Sequence, residues 1–201
     1  MTALPPINDV LHTSTTNQEV LSDALTILFE TTPPINTIYV PKVAEKLEGA
    51  GATLSYADII EISIEVVLSC DREFQARFIE CHPRIGQVKK LSQLSSKEQA
   101  SVETPPQVLA RLEHLNACYE FRFPGLRYIT FVNGRTRAQI MEEMEDKLRI
   151  PRSLSPQEPE VESVGKVSIG GEEWISELER AVEDIASIAR ARLAALGGTS
   201  S

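Results

Sequence analysis

Apolar positions in this chain recur mostly every three or four residues, the period of one buried helix face. Residues 18–30 place Leu21, Leu25, Leu28 and Phe29 on one side, with Thr16 or Asn17 as the N-cap. Residues 41–48 read as a short helix with Pro41 in its first turn, ended by Gly49 and Gly51. Ser55 and Asp58 form a capping-box-like start for a helix over 56–69. That run is rich in Ile and Val, which suit strands, and its length decides for helix. Asp71 is placed to cap a helix over 72–81 that carries Phe74 and Phe78 on one face and is stopped by Pro83.

Three more starts share the S/T-x-x-E/Q pattern, which satisfies orphan amides of a first turn: Ser95-x-x-Glu98, Thr104-x-x-Gln107 and Thr136-x-x-Gln139. The second, with Pro105 at the first helical position, runs to about Phe121 and buries Val108, Leu112, Leu115 and Tyr119. The third carries Ile140, Met144 and Leu148. Between them, Tyr128–Val132 is an apolar run too short for a helix and closed by Asn133-Gly134, which reads as an extended buried connector. Residues 151–171, rich in Pro, Ser and Gly, have no helical period and read as a mobile insertion. Trp174, Leu178, Ala181, Ile185, Ile188, Arg192 and Leu196 then mark one long amphipathic helix ended by Gly197-Gly198. The pattern predicts an all-α fold, a single compact bundle of about seven helices. Its domain spans 18–196, between a flexible N-terminal segment 1–17 and a tail 197–201.

Composition narrows the class without naming a chemistry. With 201 residues, 42% of them hydrophobic and 24% charged, the chain is long and apolar enough for a real core. No apolar run approaches the roughly 18 residues of a membrane-spanning helix. The opening MTALPPINDV has no basic segment followed by an apolar stretch, so no secretory signal is expected. Cys70, Cys81 and Cys118 form no CxxC pair and no zinc spacing, which fits reduced thiols and a cytoplasmic setting. The terminal Gly-Thr-Ser-Ser is not the Ser-Lys-Leu signal of peroxisomal import. A net charge of −9 argues against nucleic acid as a partner. That charge is uneven: residues 150–184 hold nine acids and three bases, whereas 72–101 hold six bases and three acids. The second stretch is either an ordinary solvated surface or a local field suited to an anionic small molecule.

Few residues are placed for chemistry. His82 leaves a helix directly into Pro83, which pins the backbone, and imidazole titrates nearest neutrality. It reads as a general base or as a helix cap. Glu98 is either half of the capping box with Ser95 or a carboxylate that orients an imidazole. Arg192 rides at or beside the apolar face of the last helix, either snorkelling or meeting an anion. His12 and His114 have no comparable setting. Nucleotide-cradle, nucleophile-elbow and metalloprotease patterns do not occur in the sequence.

Taken in order, Glu80-Cys-His-Pro-Arg-Ile-Gly86, Leu94-Ser-Ser-Lys-Glu-Gln99, Leu115-Asn-Ala-Cys-Tyr-Glu120, Ile129–Arg137 and the closing Ile185-x-x-Ile-x-x-x-Arg192-Leu193 resemble one family. It is the OHCU decarboxylases, which act on 2-oxo-4-hydroxy-4-carboxy-5-ureidoimidazoline in the ureide branch of purine breakdown. The resemblance implies an all-helical, cofactor-free and metal-free carboxy-lyase, generally a homodimer, that yields (S)-allantoin from a small anionic substrate. It places the catalytic histidine on His82, with Pro83 beside it, and the SxxEQ residues on Ser95, Glu98 and Gln99. Of these Glu98 joins His82 as catalytic, while Pro83, Ser95 and Gln99 bind substrate. The substrate arginine falls on Arg192, and main-chain contacts fall on Ile129, Thr130, Phe131 and Val132. The alternative is a helical binding or scaffold protein that keeps the fold without the reaction.

Overall fold

The computed structural model describes residues 3–12, 18–50, 54–87 and 104–197. Their regular structure is all helical: eight α-helices and one 3₁₀ turn, with no strand among the described residues. The residues fall into two compact units, one comprising the chain up to His82 together with the stretch from Val182 onward, the other Pro83–Ala181. The helix expected from Ser95-x-x-Glu98 lies outside the described residues.

The first unit holds α1 (Ile7–Leu11), α2 (Glu19–Phe29), α3 (Pro33–Gly49), α4 (Tyr56–Ser69), α5 (Arg72–Glu80) and residues 182–195 of α8 (Glu172–Ala195). The apolar stripe of α2 is the expected one, with Leu21, Leu25, Leu28 and Phe29 all buried. Ser55 caps α4 by accepting from the Asp58 amide while Asp58 accepts from the Ser55 amide at 2.8 Å. Phe29, Tyr39, Phe74 and Phe78 meet in one aromatic cluster, with centroid separations of 5.2–6.3 Å. Such ring pairs add to the burial of their large apolar areas. Burial also drives the Tyr39 phenol far above its ordinary range, and its hydroxyl donates to Ser63 O at 3.3 Å.

One feature of this unit differs from the sequence reading. Pro41 lies inside a helix that begins at Pro33, not in the first turn of a short one. An interior proline costs about 3 kcal/mol. Ile35, Tyr39 and Val40 before it and Val43, Ala44 and Leu47 after it are buried and offset that cost. Within 1–17, residues 3–12 carry α1, bury Val10 and accept a 2.7 Å hydrogen bond from Tyr56 at Pro5 O.

The second unit holds α6 (Pro106–Arg122), α7 (Arg137–Leu148), the 3₁₀ turn Val161–Val164 and residues 172–181 of α8. Thr136 and Gln139 close the capping box that their spacing predicts. Thr104 does not cap α6: the helix starts at Pro106, leaving Thr104 beyond the N-cap, where its hydroxyl accepts from Arg137 at 3.1 Å. The stretch 151–171 is laid against α6 and α7 by side chains from both helices. Arg111 donates to Ser155 O at 2.8 Å and also to Glu158 O, Glu145 accepts from the Ser153 amide at 3.0 Å, and His114 meets Pro159 O at 2.9 Å. Further along, Arg122 donates to Val164 O, and Arg122 O accepts from the Val167 amide, both at 2.9 Å. The segment expected as an insertion thus has hydrogen-bond partners on both helices.

Candidate active site

His82 is positioned by how α5 starts and stops. Asp71 accepts from the Phe74 amide at 2.8 Å, which satisfies a first-turn donor and sets the phase of the helix. Phe78 then faces the aromatic cluster, and one turn later the His82 ring lies 6.4 Å from it. The His82 amide closes on Ile79 O at 3.1 Å, and Pro83 prevents another turn. The imidazole is 2% exposed, so it sits in a buried setting on a backbone that cannot swing.

Arg192, also 2% exposed, belongs to the same unit. Its Nη1 donates to Leu28 O and its Nη2 pairs with Glu30, each at 3.2 Å. Glu30 ends α2 in the left-handed conformation at φ 50°. Thr32, two residues on, lies 3.6 Å from the Cys81 sulfur next to His82. The Phe29–Phe78 contact at 5.9 Å makes the same link through the core. Arg192 and His82 are therefore anchored to the two sides of one short α2–α5 junction.

In the second unit, much of the motif content proves to be mutual support. Arg84 forms a two-pronged pair with Glu120 at 2.6 and 2.7 Å. Asn116 donates to Ile85 O at 3.0 Å. Gly86 has φ 82°, and a Cβ there would lie 3.0 Å from Leu112. Only glycine meets both demands cheaply. HPRIG and LNxxYE thus lock together, beside a cleft of about 660 Å³ lined in part by Arg84, Gly86, Glu113, Asn116 and Glu120.

The connector Tyr128–Val132 has no regular structure, as its length predicts, and Tyr128 and Ile129 are buried. Two arginines hold it. Arg180 donates to Ile129 O at 2.9 Å, and Arg135 donates to Val132 O at 3.1 Å, to the Thr130 hydroxyl at 2.9 Å and to Phe131 O. Arg180 is itself paired to buried Glu177 at 2.7 and 3.0 Å, and Glu177 also accepts from Tyr119 and Lys147, both at 2.7 Å. Burial pushes the Tyr128 phenol up to about 12, against the pull of the Arg180 charge. Burial also tends to raise the Glu177 carboxyl, but the Arg180 hydrogen bond and charge, with Lys147 and Tyr119, outweigh it and hold it below the ordinary range.

That shift has a definite sign in stability. A carboxylate with a depressed folded pKa contributes fully above its free value near 4.5 and loses the contribution as pH falls through the lower folded value. Glu177→Gln is expected to flatten the acid limb of a plot of Tm against pH below about 4.5. An acid slope equal to the parent's would remove Glu177 from the groups that set it.

Pro83, Ile129, Thr130, Phe131 and Val132 thus lie in the second unit, and His82 and Arg192 in the first. Ser95, Glu98 and Gln99 lie outside the described residues. Sequence reasoning passed over Glu30, Arg135, Glu177 and Arg180. A signal existed for Glu177, which sits among Trp174, Leu178 and Ala181 on the apolar stripe of α8, where a carboxylate needs a partner. Among the described residues no group of three or more His, Cys, Asp or Glu side chains is placed to hold a metal ion. No helix of the described residues is long and apolar enough to cross a membrane.

Comparison with protein families adds the deciding observation: the OHCU decarboxylase model matches residues 14–164, well over half of the chain. The chain belongs to the OHCU decarboxylase family. Its match to the OHCU decarboxylases includes His82, Pro83, the 88–103 stretch and the connector, and stops before Arg192. Comparison with curated proteins finds no match. Membership among the OHCU decarboxylases supports a decarboxylase role in urate catabolism.

Proposed function

We propose that this protein converts 2-oxo-4-hydroxy-4-carboxy-5-ureidoimidazoline to (S)-allantoin as a carboxy-lyase with no metal or organic cofactor. The observation that carries the reading is the buried His82 on its Pro-locked helix exit, inside the stretch that matches the family. In the reaction the bond from the ring to the carboxylate breaks and CO₂ leaves. The electron pair passes into the conjugated heterocycle, and a proton is delivered to one face of the ring, which sets the enantiomer. His82 exchanges a proton with the substrate hydroxyl, Glu98 fixes its tautomer, and Pro83 keeps its backbone rigid. Ser95, Gln99 and the main chain of Ile129–Val132 contact the substrate, and Arg192 offers a planar pair of donors to a carboxylate or ureido oxygen. Misplacement by about 1 Å can cost on the order of 100-fold, so rigid placement is a large part of the rate. A homodimer is the expected assembly.

The test is direct. Freshly generated substrate decays spontaneously to racemic product, so circular dichroism should show a faster rise of (S)-allantoin when the protein is added. No acceleration over spontaneous decay would leave a helical binding protein as the better reading.

A further inference from the structure

Residues 129–132 are expected to meet the substrate through main-chain groups, and what a bare backbone stretch offers a ligand depends on which of its groups are already engaged. Three of the four carbonyls are engaged. Ile129 O accepts from Arg180 Nη1 at 2.9 Å, Phe131 O accepts from Arg135 Nη2, and Val132 O accepts from Arg135 Nε at 3.1 Å. Among the described residues no main-chain acceptor takes the amides of Thr130, Phe131 or Val132.

The geometry that produces this is local and specific. Asn133 and Gly134 take φ 45° and 75°, and the Arg135 amide closes on Val132 O at 2.9 Å. Positive φ at both central residues is the demand of a type I′ turn, which Asn-Gly meets. The turn sends the Arg135 side chain back along the connector, where Nη2 also holds the Thr130 hydroxyl at 2.9 Å and Nη1 is paired with Glu143. Arg180 reaches the other end, lies 5.3 Å from the Tyr128 ring centre, and is neutralised by Glu177. Each guanidinium already has a carboxylate, so its role here is to orient the backbone and not to present a free charge.

We propose that Arg135 and Arg180 are positioning residues that make the Ile129–Val132 connector a row of amide donors for an oxygen-rich anionic ring. This rests on the reading that the connector contacts the ureidoimidazoline. Such a substrate presents carbonyl, ureido and carboxylate oxygens, all acceptors. A connector carbonyl turned toward them would repel the ring and lie unpaired, and the two arginines hold those of Ile129, Phe131 and Val132 in other hydrogen bonds. An extended segment without ladder partners has no other device to hold one polarity outward.

The experiment pairs kinetics with amide exchange on the full chain. Arg135→Gln is expected to raise KM about tenfold, the weight of one hydrogen bond, with kcat changed less than about threefold. Hydrogen exchange at residues 129–132 should accelerate while α6 and α7 keep their protection. The double variant Glu177→Gln/Arg180→Gln, which avoids leaving a buried carboxylate short of partners, should behave alike. Unchanged KM in a folded variant overturns the proposal. So does faster exchange throughout α6 and α7, because the arginine is then a general structural support. If the parent protein does not accelerate decarboxylation, the functional reading fails, and allantoin serves as the binding probe. Protection of the 130–132 amides by allantoin, lost in Arg135→Gln, still supports the donor row; no protection in the parent overturns it.

Discussion

His82→Asn is expected to reduce the rate of (S)-allantoin formation by about 10²–10⁴-fold, the usual weight of a general acid–base group. Asn keeps a side chain that can donate and accept but cannot exchange a proton near neutrality. The fold should survive. His82 lies at the exit of α5, beyond Phe78, and the aromatic cluster of Phe29, Tyr39, Phe74 and Phe78 does not depend on the imidazole. Far-ultraviolet circular dichroism and Tm report the fold, while the optical activity of the product reports the chemistry. An intact fold with slow, racemic product formation supports the proton-exchange role of His82. Turnover within tenfold of the parent, with the same enantiomer, would move the proton exchange to another group.

The largest stability effect is expected at Glu145. Arg111 and Glu145 form an ion pair at 2.8 Å with both side chains fully buried. Removing one partner of such a pair strands the other charge and costs about 3–5 kcal/mol. At this chain length each kcal/mol moves Tm by about 2–4 °C, so Glu145→Leu should lower Tm by roughly 10 °C. The loss has two components. Arg111 loses its carboxylate, and the Ser153 amide loses the acceptor that seats the start of the 151–171 stretch. Arg111→Met combined with Glu145→Leu should recover much of Tm, because an apolar pair of similar volume leaves no charge stranded. It should not restore the seat of the loop, so proteolysis within 151–159 should stay faster than in the parent. A single-variant loss below about 1 kcal/mol, the scale of an exposed pair, would show that water reaches Arg111 once Glu145 is gone.

What could be read in advance follows the range of the interactions involved. The capping boxes at Ser55–Asp58 and Thr136–Gln139 are complete within four residues, so they were legible. The connector was legible from its length and its Asn-Gly close. Thr104 does not act as the cap its spacing suggests because a second proline moves the start of α6 by one residue, and Pro41 lies inside a helix because burial on both sides of it overrides local propensity. Of the residues assigned to the site, His82 stood out by its proline and Arg192 by its place on an apolar face. The 88–103 group, with Ser95, Glu98 and Gln99, rests on motif resemblance alone.

The uneven charge gains a more exact meaning in the same way. Of the acids concentrated in 150–184, Glu177 is buried beneath Tyr119, Lys147 and Arg180, and Glu173 pairs with Arg122 at 2.7 Å. Part of that negative charge is therefore internal wiring.

By itself the sequence determined the helical class, the boundaries of most helices, the extended connector and the family motifs, since each depends on periodicity or on groups a few positions apart. Only the tertiary structure decided what those motifs touch: Arg84 with Glu120, Gly86 with Leu112, Arg192 with Leu28 and Glu30, and Arg180 with Ile129. These pairs lie from about two dozen to more than 160 positions apart in the chain, and no local rule couples residues at that distance. Burial couples them, because a charged or polar group withdrawn from water must find its partner wherever the packed helices bring one within reach.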